Sequence, residues 1–189
     1  MAIEATDLLN IVERALHSLR SEWLFLRELK VGTSRRNGSV QRLDAFALNS
    51  LPHTAMKRVC YEVKISRADF LAELKSPLKR RIGMRYSNEF YFVTPAGLVD
   101  LKEIPCDCGL IEAGRATPGE WRELIKRHRG FFYYDPDTES YCLLVVPAPW
   151  RDTPGPTWQL LAAMLRNQRR EFEERPPAVP VQQRLTFTQ

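Results

Sequence analysis

Arg58-Val59-Cys60-Tyr61-Glu62-Val63-Lys64-Ile65 alternates without a break. Successive side chains of an extended strand point to opposite faces. Val59, Tyr61, Val63 and Ile65 are therefore expected on a core face, with Cys60, Glu62 and Lys64 on the other. The pattern predicts a strand that presents a carboxylate and an ammonium, two residues apart, to one cleft. A second predicted strand, Val40 to Leu48, precedes it and carries Asp44 in Gln41-Arg42-Leu43-Asp44-Ala45-Phe46. A hairpin-like pairing of the two strands, across a polar turn at Pro52 and His53, brings Asp44 and Glu62 together. Two carboxylates beside a lysine can hold a divalent cation and a water, the local chemistry of metal-dependent phosphodiester hydrolysis.

The flanking segments set this pair of strands in an α/β frame. Upstream, Leu8, Leu9, Ile11, Val12, Ala15, Leu16 and Leu19 recur at helical spacing after Thr6, and Asp7 suits the positive end of the helix dipole, so a first helix is expected over about 6–20. Glu13 falls at the margin of its apolar stripe, where it can lean toward a cleft or face solvent. Trp23 to Val31 reads as the first strand. The turn-rich segment at 32–39 carries Arg35 and Arg36, suited to a loop over phosphates. Downstream, Ser66-Arg67-Ala68-Asp69 has the form of a capping box and opens a helix through Lys75, interrupted by Pro77.

A densely basic stretch follows, with Lys79, Arg80, Arg81 and Arg85. Then come a strand at Glu89 to Thr94 and a shorter one at Gly109 to Ala113. Strands separated by helices are the α/β signature. Arg122, Lys126, Arg127, His128 and Arg129 form a second basic segment. Phe131 to Tyr134 and Tyr141 to Val146 flank an Asp135-Pro136-Asp137-Thr138 turn and read as a hairpin. A last helix carries Trp158, Leu160, Leu161, Met164 and Leu165, and the proline-rich residues 176–189 read as a flexible tail.

Composition narrows the function classes. A chain of 189 residues, 44% hydrophobic, suits a single domain with a real core, here about 1–175. Twenty-eight Lys and Arg against 23 Asp and Glu leave a formal charge of +5, which favours a polyanionic partner modestly. No apolar run reaches a membrane span and the first residues lack the order of a secretory signal, so a cytoplasmic protein with no membrane partner is expected. Cys60, Cys106, Cys108 and Cys142 show no disulfide-scaffold spacing. Cys106-Asp107-Cys108 could seed a zinc site but has no second close Cys or His pair, which favours reduced thiols in or near the core.

Magnesium takes oxygen ligands and keeps several waters, so two carboxylates suffice as protein anchors. Asp44 and Glu62 are the expected Mg²⁺ or Mn²⁺ ligands, with the Val63 carbonyl as a third. A lysine between two acids keeps its proton, so Lys64 is assigned to positioning water and offsetting charge on the phosphorane, not to general-base duty. Glu-x-Lys by itself also describes an ordinary solvated strand face. The weight comes from the order: amphipathic helix, strand with Asp, strand with Glu-x-Lys, capped helix.

In that order, residues 6–113 resemble the core of the PD-(D/E)xK nuclease superfamily, with Asp44 and Glu62-Val63-Lys64 on its motif. More closely, Tyr61-Glu62-Val63-Lys64-Ile65-Ser66-Arg67-Ala68-Asp69-Phe70 and Tyr86-Ser87-Asn88-Glu89-Phe90-Tyr91-Phe92-Val93 resemble MmcB-like DNA repair proteins. The resemblance implies a restriction-endonuclease-like core with a central mixed sheet flanked by helices, a magnesium-dependent site, and a role as an endonuclease or repair nuclease on DNA. It also implies a glutamate near the metal, for which Glu13 is the first choice and Glu28 the competitor. Leu43 replaces the motif's proline.

Arg67, Lys79, Arg80, Arg81 and Arg85 would then extend a phosphate track that positions DNA without reading sequence. Asn88 can order the site or cap a turn. In the tail, Gln183-Arg184-Leu185-Thr186-Phe187 resembles the peptide by which bacterial repair proteins bind the sliding clamp, with Gln183, Leu185 and Phe187 as anchors. Two rival readings use the same residues: a non-catalytic DNA-binding module, and an adaptor whose function lies in the clamp peptide.

Overall fold

The computed structural model describes residues 3–32, 41–126 and 128–174. Arg35, Arg36, Val40 and Arg127, and the peptide anchors Gln183, Leu185 and Phe187, lie outside the described residues. The chain is an α/β protein built on one seven-stranded mixed sheet, with helices on both faces. In chain order the strands are β1 (Trp23–Val31), β2 (Gln41–Asn49), β3 (Arg58–Val63), β4 (Glu89–Thr94), β5 (Gly109–Arg115), β6 (Phe132–Asp135) and β7 (Ser140–Val146). Their order across the sheet is β1-β2-β3-β4-β5-β7-β6. The β1/β2/β3 steps are antiparallel, β3/β4/β5 parallel, and β5/β7/β6 antiparallel again. The helices are α1 (Ala5–Leu16), α2 (Arg67–Leu74), α3 (Arg81–Tyr86), α4 (Pro118–Lys126) and α5 (Trp158–Glu174).

Two cores follow from the two covered faces. On one, Leu8, Leu9, Ile11 and Val12 of α1 pack on Ala45, Val59, Tyr61, Val63, Val93 and Ile111. On the other, α2, α3 and α5 bring Phe70, Tyr86, Leu160 and Met164 onto Phe46, Cys60, Phe90 and Phe92. The expected division of the β3 faces needs amending here. Cys60 is wholly buried in the second core instead of lining a cleft, because helices cover that face too. Ile65 is 49% exposed, because β3 stops at Val63. Toward the C-terminal end of β3, Glu62 is only partly buried on that side, and Lys64 follows just past the strand.

Several boundaries shift as well. The first helix ends at Leu16, not near 20: the His17 backbone turns to φ −134 and its ring enters the core against Trp23 and Tyr61. The basic segment after 117 is partly helical. Thr117 and Glu120 form the start of α4: Glu120 Oε2 accepts from Thr117 N at 2.8 Å, and Pro118 takes the first helical position, where its missing N–H costs nothing. Among the described residues no helix is long and apolar enough to cross a membrane.

Candidate functional site

The β2/β3 ladder explains how Asp44 and Glu62 meet. The ladder runs from Leu48↔Arg58 to Ala45↔Tyr61. Beyond that point the Asp44 side chain replaces it, its Oδ2 accepting from Val63 N at 2.9 Å. The carboxylate is thereby fixed beside the end of β3. The Lys64 backbone N–H donates to Val93 O of β4 at 2.9 Å, so the residue after β3 is also held in place. Asp44, Glu62, Val63 and Lys64 line one open cleft of about 420 Å³, walled by Thr6 of α1 and Asp69 of α2. The structure brings the predicted quartet together.

β1 contributes a break in the strand pattern at the same level. Leu26 and Leu29, three residues apart, both reach the α5-side core, an interval that strict alternation forbids; Leu43 and Phe46 do the same on β2. The change of phase falls between the pairs Arg27↔Ala45 and Leu29↔Leu43, where Glu28 adopts φ 52. A non-glycine residue in this left-handed region costs roughly 1 kcal/mol or more, and such residues cluster at functional sites. Here the kink turns Glu28 to the cleft, where Arg42 Nη1 lies 3.3 Å from its Oε2.

Glu13 is placed differently from the first choice. It pairs with Arg27 and lines a neighbouring cavity with Asn10 and Arg14, not the cleft itself. Arg27 borders both spaces. Of the two glutamates weighed for the site, Glu28 is the one that lines it.

Lys64 is the most enclosed member. Its side chain is 6% exposed, with Nζ 2.8 Å from Glu62 Oε1, 3.4 Å from Glu73 Oε2 and 3.6 Å from Asp69 Oδ2. Glu73 and Asp69 have no place in the sequence-predicted site. Their signal was present: Ser66 caps α2 by accepting from Asp69 N, which puts Asp69 in the first turn and Glu73 one turn further. Glu73 also follows buried Phe70 at i+3, so it shares the inward face of the helix.

Three carboxylates thus contact one ammonium, with Asp44 in the same cleft. Burial, and then the Asp44 charge, push the Glu62 carboxyl up to about 7, despite the opposing hydrogen bond from Lys64. Asp44 is raised too, by burial, against the pull of the Val63 N–H and the Lys64 charge. For Lys64, burial acts downward, but the Glu62 hydrogen bond and the charges of Glu62, Glu73 and Asp69 outweigh it and the net direction is up. The lysine is a fixed cation at neutral pH.

The expected phosphate track divides. Lys79, Arg81 and Arg85 are exposed, and the Arg85 guanidinium lies over the Tyr86 ring. Arg80 is buried: its Nη1 donates to Glu73 O at 3.1 Å, closing the end of α2, and its guanidinium stands 5.8 Å from the Phe92 ring. It cannot reach a phosphate while so placed. Arg67 forms a bidentate pair with Glu103, at 2.5 and 2.6 Å, which cancels its charge. Asn88 sits at the far end of β3, where its side chain accepts from Arg58 N and donates to Arg151 O, a structural tie with no part in the cleft.

Among the described residues no three His, Cys, Asp or Glu side chains form a metal-ligand group. Cys60, Cys108 and Cys142 are buried free thiols and Cys106 is exposed. No family model, curated protein or solved structure matches the chain significantly. What fold and site define together is an α/β protein with an acidic, lysine-containing cleft at the end of β3, an interior strand of its sheet.

Proposed function

We propose that this chain is a metal-dependent DNA endonuclease or repair nuclease with a restriction-endonuclease-like core of the PD-(D/E)xK kind. The observation that carries the reading is the convergence of Asp44, Glu62 and Lys64 in one cleft, with the order α1, β1, β2, β3, α2 around it. The donor set fits a hard divalent cation: two neighbouring carboxylates, each made harder to ionise by burial, gain most from a positive charge between them. Asp44 and Glu62 would hold Mg²⁺ or Mn²⁺, with the Val63 carbonyl as third ligand. A cation bound there lowers the pKa of its water and neutralises phosphate charge.

The protein's own groups have distinct tasks. The Val63 N–H fixes the orientation of Asp44, leaving its other carboxylate oxygen for the cleft. Lys64 Nζ retains its proton, orients water at the cleft floor and offsets negative charge developing on the phosphoryl oxygens. Lys79, Arg81 and Arg85 supply exposed charge for the DNA backbone. The resemblance of residues 183–187 to a clamp-binding peptide adds a tether to the replication machinery.

The test uses labelled single-stranded, duplex, flap and junction DNA with Mg²⁺ or Mn²⁺. Cleavage by the wild-type chain should fall at least about 100-fold in Asp44→Ala and in Lys64→Ala, since each removes a group acting on the reacting phosphate. Cutting that survives both substitutions would sink the assignment. A second reading, a non-catalytic DNA-binding module, draws on the 2.8 Å contact between Lys64 and Glu62, by which the lysine already satisfies one carboxylate. Tight DNA binding with no cutting in either metal would favour it.

A further inference from the structure

Glu73 presents a question that the proposed chemistry leaves open. It is a carboxylate on α2, 4% exposed, and its ion-pair partner is Lys64 at 3.4 Å. Burying a carboxylate is costly unless it is paired, and α2 gains nothing from an acid on its inward face. Lys64, for its part, is closest to Glu62, one of the two carboxylates assigned to the metal. A divalent cation on Glu62 and an ammonium at 2.8 Å from the same group repel each other. The repulsion is relieved, and both Glu62 oxygens become open to the cation, if the ammonium moves away from Oε1 and keeps an acid beside it.

We propose that Glu73 is a positioning residue that serves as the second seat for Lys64, drawing its ammonium off Glu62 when a divalent cation occupies the Asp44–Glu62 pair. The inference rests on the metal-dependent reading above. Geometry favours Glu73 over Asp69. An ammonium with three donors needs a shift of well under 1 Å to turn the 3.4 Å contact into a hydrogen bond. Asp69 lies further off and is 56% exposed, so solvent screens its attraction. Arg80 Nη1 donates to the backbone carbonyl of Glu73, which ties down the end of α2 that carries the seat. With the ammonium on Glu73, Glu62 Oε1 is free for the cation, and Lys64 still points its charge at the cleft.

The experiment is a double-mutant cycle on Mn²⁺ affinity, measured by titration calorimetry on the full chain without DNA. Wild type, Glu73→Gln, Lys64→Met and the double variant are compared, with Asp44→Ala as the site control. Glu73→Gln should weaken Mn²⁺ binding about tenfold, because the lysine then stays on Glu62. In the Lys64→Met background the same substitution should change affinity less than about twofold. The Lys64 side-chain nitrogen resonance gives a separate readout: it should shift on adding diamagnetic Mg²⁺ in wild type and stay in place in Glu73→Gln.

Should Glu73→Gln not fold, Glu73→Asp keeps the charge but withdraws it by one methylene, and the same weakening is expected. Equal weakening with and without Lys64, or none, overturns the role of Glu73 while leaving the metal site standing. If wild type binds no Mn²⁺, or Asp44→Ala binds it as well as wild type, the metal-dependent reading itself falls, and this inference with it.

Discussion

His17 shows how a single buried group shapes the acid side of the chain's pH response. Its Nε2 lies 2.8 Å from Tyr61 Oη, and burial, helped by the Lys57 charge, lowers the imidazole to about 3. In the unfolded chain it titrates near its ordinary 6.5. Below that value the unfolded state takes up a proton that the folded state refuses, so stability present at neutral pH is lost as pH falls from 6.5 toward 3. Roughly 2 kcal/mol should go between pH 6.5 and 5 on this account. Glu62 acts with the opposite sign. Its carboxyl is raised to about 7, so its contribution is full below about 4.5 and is lost as pH climbs through 7. Urea titrations across pH 4–7 separate the two: His17→Gln should flatten the acid-side slope, whatever its absolute stability. A slope unchanged by that substitution would mean that His17 is protonated in the folded state.

At the scale of elements, packing and propensity compete most plainly in α3. Gly83 lies inside this short helix, where alanine would be favoured by about 1 kcal/mol. A Cβ there would sit 2.8 Å from Cys60 Sγ and 2.9 Å from the Phe90 ring, both wholly buried. Overpacking of that kind costs roughly 1–3 kcal/mol, so Gly83→Ala should lower the urea midpoint despite its better propensity. A raised midpoint would contradict the close seating of α3 on β3 and β4.

The same competition explains what the sequence disclosed. Trp23–Val31 and Glu89–Thr94 were legible to the residue, because segments rich in aromatic and aliphatic residues and bounded by turn signals state their own limits. The Asp44/Glu62/Lys64 cluster was legible because strand alternation and one hairpin pairing sufficed to assemble it. The early stop of α1, the burial of Arg80 and Cys60, and the phase change at Glu28 were not, since each is dictated by a neighbour distant in sequence. Thr117-Pro118-Gly119-Glu120 is the opposite case: the helix-start signature was in plain view, masked by the basic residues after it.

For the molecule as a whole, the exposed cations matter more than the net charge of +5. Counting basic residues treats Arg67, Lys79, Arg80, Arg81 and Arg85 alike, yet the structure sorts them into two groups. Arg67 is neutralised by Glu103 and Arg80 is enclosed against Phe92, whereas Lys79, Arg81 and Arg85 are open to solvent. Arg81 and Arg85, four residues apart on α3, share a helix face. If the proposed DNA partner is right, these three are the phosphate contacts of this region. Each contact releases condensed counterions, so the slope of log affinity against log salt should lose roughly 0.9 per contact removed. Replacing Lys79, Arg81 and Arg85 with alanine should therefore reduce the slope by about 2–3, measured with a short duplex at several salt concentrations and with catalysis blocked by Asp44→Ala. Arg67→Ala should leave the slope nearly unchanged, because that cation is already paired. A triple variant with the wild-type slope would place the DNA elsewhere on the protein, away from α3. A large change in Arg67→Ala would mean that the Glu103 pair opens when DNA arrives, making Arg67 a contact held in reserve.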